Sequence, residues 1–145
     1  MAANFQPESF HTITPYLSVI DAELLLNFLL EVFDGQVVEK LLRPNGRINH
    51  AEVRIGDSII MLGEPEDESG VVSTILYVYV PDTDVSYDKA LKAGATSVRE
   101  PADQYYGDRS AAILDPCGDT WYIATHMEEV PPDELRRRAA KLNEQ

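Results

Sequence analysis

The strongest constraint in this chain is a change of hydrophobic period that runs in the same order twice. Residues 11–19 alternate, with Ile13, Leu17 and Val19 on one side and Thr12, Thr14 and Ser18 on the other, the pattern of a half-buried strand. Leu24, Leu25, Phe28 and Val32 then make a helical stripe over 22–33, with Asp21 as N-cap and Asp34-Gly35 as the stop. Strands follow over 36–42, 48–55 and 58–62, separated by the turn signals Pro44-Asn45-Gly46 and Gly56-Asp57. The acidic stretch 63–70 has no large apolar side chain and reads as a surface loop. Beyond it the order recurs: a strand over 71–80, a helix over 85–93 capped by Asp82 or Asp84 and closed by Gly94, and strands over 95–99, 107–115 and 120–126. Each half is β-α-β-β-β, although the halves share few residues, and such a repeat outranks any single motif as a guide to the fold. The expectation is one α+β domain over 1–145, with module one at about 11–63 and module two at about 71–127. A short helix follows at about 132–142, opened by Pro131-Pro132-Asp133.

Charge narrows the partners. The chain has 25 acidic and 12 basic side chains, a formal −13. Arg136, Arg137, Arg138 and Lys141 crowd the end of the chain, so the remainder is more acidic still and repels phosphate backbones. Nucleic acid is therefore excluded as a partner, and a cationic ligand is welcome. No apolar run approaches the ~20 residues of a membrane span. The opening residues carry no basic stretch leading into an apolar one, and Cys117 stands alone, which together point to a cytoplasmic protein. Cys117 lies between Asp115 and Asp119, and negative neighbours hold a thiol in its unreactive form.

Four segments carry a resemblance: ITPYLSVIDAELLLNFLLEVFDG (13–35), GRINHAEVRIGDSIIML (46–62), YVYVPDTD (77–84) and YYGDRSAAILDPCGDTWYIATHMEEVPPDELRRRAAK (105–141). With the tandem βαβββ order, they resemble the vicinal oxygen chelate superfamily of glyoxalase I, bleomycin-resistance proteins and extradiol dioxygenases, in its PhnB-like branch. The resemblance implies mixed sheets curled into a cup, helices outside, ligand inside, and a homodimer. It also implies a divalent metal held from the first and last strand of each module. The aligned positions are Thr14, Met61, Ile75 and Tyr122, none of them a carboxylate or an imidazole. The expectation is therefore no cofactor and no inherited metal site.

Alternation then predicts the side chains that face the ligand. They include Thr14 and Tyr16 on the first strand, His50, Glu52 and Arg54 on the third, and Met61 on the fourth. Ile75, Tyr77 and Tyr79 follow on the fifth, and Tyr122 and His126 on the last. The opposite positions, such as Ala51, Val53, Leu76, Val78, Trp121 and Ile123, are apolar and suit packing under the helices. His50, Glu52 and Arg54 share one strand face, roughly 7 Å apart. His50 beside Glu52 has the make-up of an oriented base and Arg54 that of an anion holder, although Glu52 and Arg54 equally suit a structural pair. Tyr106 and Arg109, around the YYGDR turn, are candidate ligand contacts, and Asp108 with Arg109 equally suits a plain ion pair. The tyrosines give aromatic walls with polar tips, suited to a small organic ligand of cationic, partly apolar character. The leading expectation is a metal-free small-molecule-binding protein. The alternative is a glyoxalase-like lyase or isomerase, metal-dependent or acid–base, using His50, Glu52 and His126.

Overall fold

The computed structural model describes residues 2–144, so the two ends of the expected domain lie outside the described residues. The order is β1 (Tyr16–Ser18), α1 (Ala22–Phe33), β2 (Gln36–Leu42), β3 (Ile48–Ile55) and β4 (Ser58–Gly63), then β5 (Ile75–Tyr79), α2 (Thr83–Lys92), β6 (Thr96–Asp103), β7 (Asp108–Leu114), β8 (Thr120–His126) and α3 (Pro132–Leu142). The fold is α+β, built of two four-stranded mixed sheets with the orders β1-β4-β3-β2 and β5-β8-β7-β6. In both, the first and last strands of the module run parallel and the other neighbours antiparallel.

Local chemistry sets the element bounds. The Asp21 carboxylate accepts from the Leu24 amide and caps α1, and Asp34 ends that helix in the left-handed region (φ 53°). Asp82 caps α2 in the same way through the Val85 amide. The DPCGD turn between β7 and β8 is organised by Asp115, whose carboxylate accepts from the amides of Cys117 and Asp119 and from the Trp121 indole N–H. That explains the spacing of this motif: one buried carboxylate closes the hairpin and fixes the tryptophan. Phe33 of α1 meets the Trp121 ring at 5.0 Å, so the helix-covered faces of both sheets join in a single apolar cluster with Leu17, Leu29, Val53 and Ile123.

Three expected strands differ. β1 is only three residues long, because Pro15 offers no N–H and the ladder begins where its carbonyl accepts from the Met61 amide. Ile13, expected on a buried face, is 84% exposed, and His11 bonds instead to the Asp57 carbonyl. β5 begins at Ile75, while the Val72 amide turns aside to the Ser18 carbonyl. β6 runs on through Pro101 to Asp103, which an edge strand with two register irregularities accommodates. The acidic loop contains a 3-10 turn at Glu68–Gly70, and Glu64 is a clamp within it, accepting from the Ala22 amide and from Arg47. No helix among the described residues is long and apolar enough to cross a membrane.

Candidate ligand-binding site

Each sheet leaves one face uncovered, and the register shows which side chains share it. On the first sheet Tyr16, Met61, Glu52 and Glu39 stand in one cross-strand row. On the second, the corresponding row is Tyr77, Tyr122, Ala112 and Arg99. Tyr16 and Tyr77 are therefore the direct partners of Met61 and Tyr122, while Thr14 precedes β1 and Ile75 pairs with Thr120. Whichever first-strand residue is taken, the positions that the resemblance aligns with metal ligands carry Thr, Tyr, Met or Ile. These side chains do not fit a divalent metal, which takes imidazole, carboxylate or thiolate donors.

The first face brings Tyr16, His50, Glu52 and Met61 together. His50 Nε2 lies 2.9 Å from Glu52 Oε2, and the Tyr16 and His50 rings are 5.8 Å apart. Arg54 is half-buried and forms no ion pair among the described residues, so the expected Glu52–Arg54 pair is not made.

The second face is denser. Tyr77 and Tyr122 stack at 6.0 Å, Tyr79 lies 5.3 Å from Tyr77, and Arg99 sits 5.5 Å over the Tyr122 ring. Small residues make this possible: Ala112, Ser110 and Ala124 occupy the same face, and the larger side chains cover them. At the upper end lies Asp108, 4% exposed. Its Oδ2 accepts from the hydroxyls of Tyr77 (2.6 Å) and Tyr79 (3.1 Å), and its Oδ1 from His126 Nδ1 (2.8 Å). Burial opposes ionisation of Asp108, but the bonds from Tyr77, His126 and Tyr79 outweigh it and hold the carboxyl below its usual range. Burial, Asp108 and Tyr106 push the Tyr77 phenol far up, so it stays a donor. The bond to Asp108 raises His126, and Glu129 adds to this at Nε2 (3.2 Å). Because a carboxylate only accepts, the His126 Nδ1 carries a proton toward Asp108, and Nε2 faces the exposed Glu129 carboxylate.

Gly107 holds this corner. Its φ is 101°, and a Cβ there would stand 2.4 Å from the Glu128 carbonyl oxygen. Its own carbonyl accepts from the amides of Met127 and Glu128, which draws the end of β8 against the start of β7 and sets His126 beside Asp108.

Arg109 lies on the other side of β7 from the tyrosines. Neighbours on a strand point to opposite faces, so Asp108 facing the tyrosines turns Arg109 the other way. Its guanidinium is held by Asp84 of α2 and Asp103 of β6, neither beside Tyr106 nor paired with Asp108. His50 and Glu52 lie on one sheet and His126 on the other, and no group of three His, Cys, Asp or Glu side chains able to hold a metal occurs among the described residues. Asp108 and Arg99 are the site residues missed. Reading β7 in the same phase as β8 would have placed Asp108 and Ser110 beside the tyrosines. Arg99 was hidden by the irregular register of its strand.

A model of the Glyoxalase/Bleomycin resistance protein/Dioxygenase superfamily matches residues 9–123, most of the chain. The chain belongs to that superfamily. An uncharacterized protein of Mycobacterium bovis is 32% identical over 148 residues, an alignment covering 94% of each chain. TioX from Micromonospora sp. ML1 superposes with a TM-score of 0.65 at 22% identity, covering 83% of this chain and 100% of TioX. A PhnB protein from Bacillus cereus gives a TM-score of 0.64 at 16% identity over 79% of this chain and 99% of that one. These two likenesses are of fold.

A cleft of about 710 Å³ lies between the modules, lined among others by Pro15, Phe33, Ile59, Val78 and Trp121. Every residue of 76–80 lines it, side chains of both faces alike, so it follows the edge of β5 that no strand among the described residues pairs.

Proposed function

We propose that this protein binds a small organic molecule on the tyrosine face of its second sheet, without the superfamily's usual metal, and that a second copy of the chain completes the cup. The carrying observation is the Asp108 cluster: a buried carboxylate whose three donors, Tyr77, Tyr79 and His126, all belong to the ligand-facing side. Charge buried on a sheet face is costly to the fold, so its fixed donors are best understood as pre-arranged for a ligand. Tyr16, Tyr77, Tyr79 and Ile75 are exposed in a single chain, an apolar area of the kind that marks an interface or a ligand groove. The open edge of β5 and the cleft beside it suit a strand from a second copy.

The test combines light scattering with ligand screening. A dimeric mass at micromolar concentration, and thermal shifts with small aromatic compounds that Tyr122→Ala abolishes, are the expected results. A monomer, or shifts indifferent to Tyr122→Ala, would refute the reading. A second reading, proton transfer to a bound ligand, is favoured by one observation: Asp108 orients His126 as a carboxylate orients a catalytic imidazole. Ligand recovered chemically unchanged after hours with stoichiometric protein would end that second reading.

A further inference from the structure

Of the arginines other than Arg99, Arg54 on the first sheet also lacks an ion pair among the described residues, and the rest are occupied. Arg47, Arg109, Arg136, Arg137 and Arg138 each have a carboxylate partner, and Arg43 donates to the Glu64 carbonyl. Arg99 is different. Its Nη2 donates to the buried Ser110 hydroxyl at 2.6 Å, its guanidinium lies over the Tyr122 ring, and it makes no ion pair with any described residue. One hydroxyl uses one of the five N–H donors of a guanidinium. In a chain with 25 acidic side chains, a positive group on the ligand face is left without a countercharge. The carboxylate on that face, Asp108, is already taken by three donors.

We propose that the second sheet's face selects ligands with a negative group beside a planar, apolar body, the anion received by Arg99 and the body by Tyr122 and Tyr77. The inference rests on the small-molecule reading above and names its ligand class. The register supports it, because Arg99, Ala112, Tyr122 and Tyr77 form one continuous row across β6, β7, β8 and β5. Stacking on Tyr122 and the bond to Ser110 fix the plane of the guanidinium, and a fixed planar fork matches a carboxylate with two parallel hydrogen bonds. Net charge does not oppose this. Distant surface acids are screened over about 8 Å at physiological salt, whereas a group in contact acts unscreened.

The experiment uses three probes of matched shape, phenylacetate, phenylacetamide and phenethylammonium, titrated calorimetrically into the full chain at near-physiological salt. Phenylacetate is expected to bind about tenfold or more tighter than phenylacetamide, the usual strength of a hydrogen bond to a charged group, and phenethylammonium the weakest. Arg99→Gln should bring the anion and the amide within about threefold of each other, with the mass of the free protein unchanged and its melting temperature lowered by a few degrees at most through the lost bond to Ser110. Arg99→Lys should keep part of the preference. Tighter binding of the ammonium, equal binding of all three, or a preference that survives Arg99→Gln overturns the inference while leaving the small-molecule reading intact. A change in the free protein's mass on Arg99→Gln also overturns it, since Arg99 would then hold the second copy. Binding of none of the three refutes both.

Discussion

Asp119 is the least comfortable group in the fold, and replacing it by asparagine gives a prediction with a definite sign. The residue is 1% exposed. Its Oδ1 accepts from the Thr74 amide at 2.8 Å, but its Oδ2 is buried without a partner. Burial, opposed by the Thr74 bond and reinforced by the neighbouring Asp115, pushes its carboxyl up to about 6, from an ordinary 3.8. The folded chain thus holds this proton more tightly than the unfolded chain. Between about pH 4 and pH 6 the folded state binds more protons, so this residue's contribution to stability falls as pH rises. Two units at about 1.4 kcal/mol each amount to roughly 3 kcal/mol lost above pH 6. Asparagine keeps the acceptor for Thr74 and never ionises, but its amide N–H₂ inherits the partnerless position at a cost of about 1 kcal/mol. The net gain for Asp119→Asn at pH 7.5 is roughly 1–2 kcal/mol, or a rise of about 2–8 °C in melting temperature. Urea denaturation of both proteins from pH 4 to pH 8, at one fixed protein concentration, measures it. The advantage should vanish and reverse toward pH 4. A variant less stable at pH 7.5, or a difference that does not change with pH, would refute the reasoning.

Other outcomes follow from the same structure. Asp108→Asn should cost roughly 2–3 kcal/mol, because three donors lose a charged acceptor. His126, raised in the fold by Asp108, should titrate lower in that variant by NMR, and an unmoved His126 would contradict the pairing. Since Asp108 is held low, its contribution is present above about pH 4 and lost as pH falls below that, whereas the His126 contribution is complete below about pH 6.5 and fades as pH rises through its folded value. Gly107→Ala combines a left-handed φ with a Cβ placed 2.4 Å from the Glu128 oxygen, and should lower the unfolding free energy by roughly 1–3 kcal/mol in a urea titration. Burial and the acids Asp115, Asp21 and Asp119 push the Cys117 thiol up to about 12, so iodoacetamide at pH 7.5 should leave it unmodified over an hour by mass spectrometry.

Much of the fold was legible because local chemistry and periodicity agree. α1, β2, β3 and β8 have the bounds that alternation, the Asp21 cap and the turn residues imply. What escaped depends on contacts between distant segments. β1 starts late because the bond of Pro15 to Met61 sets its first rung, and β6 continues through Pro101 because an edge strand tolerates a missing donor. The site was half legible. Tyr77, Tyr122 and His126 follow from strand phase alone. That two tyrosines and a histidine converge on Asp108 depends on the register of β5, β7 and β8, which no single strand contains.

The Asp108 cluster can be tested for its weight in the stability of the fold. Buried charge networks are often replaceable by apolar side chains without loss of stability, provided every member is replaced. The triple change Asp108→Ile, Tyr77→Phe, His126→Leu removes the carboxylate and two of its donors, leaving the Tyr79 hydroxyl at the solvent margin. Its unfolding free energy should stay within about 1–2 kcal/mol of the parent, while any ligand held at this face is released. A triple variant that fails to fold, or that keeps full affinity, would show that the cluster serves the fold instead.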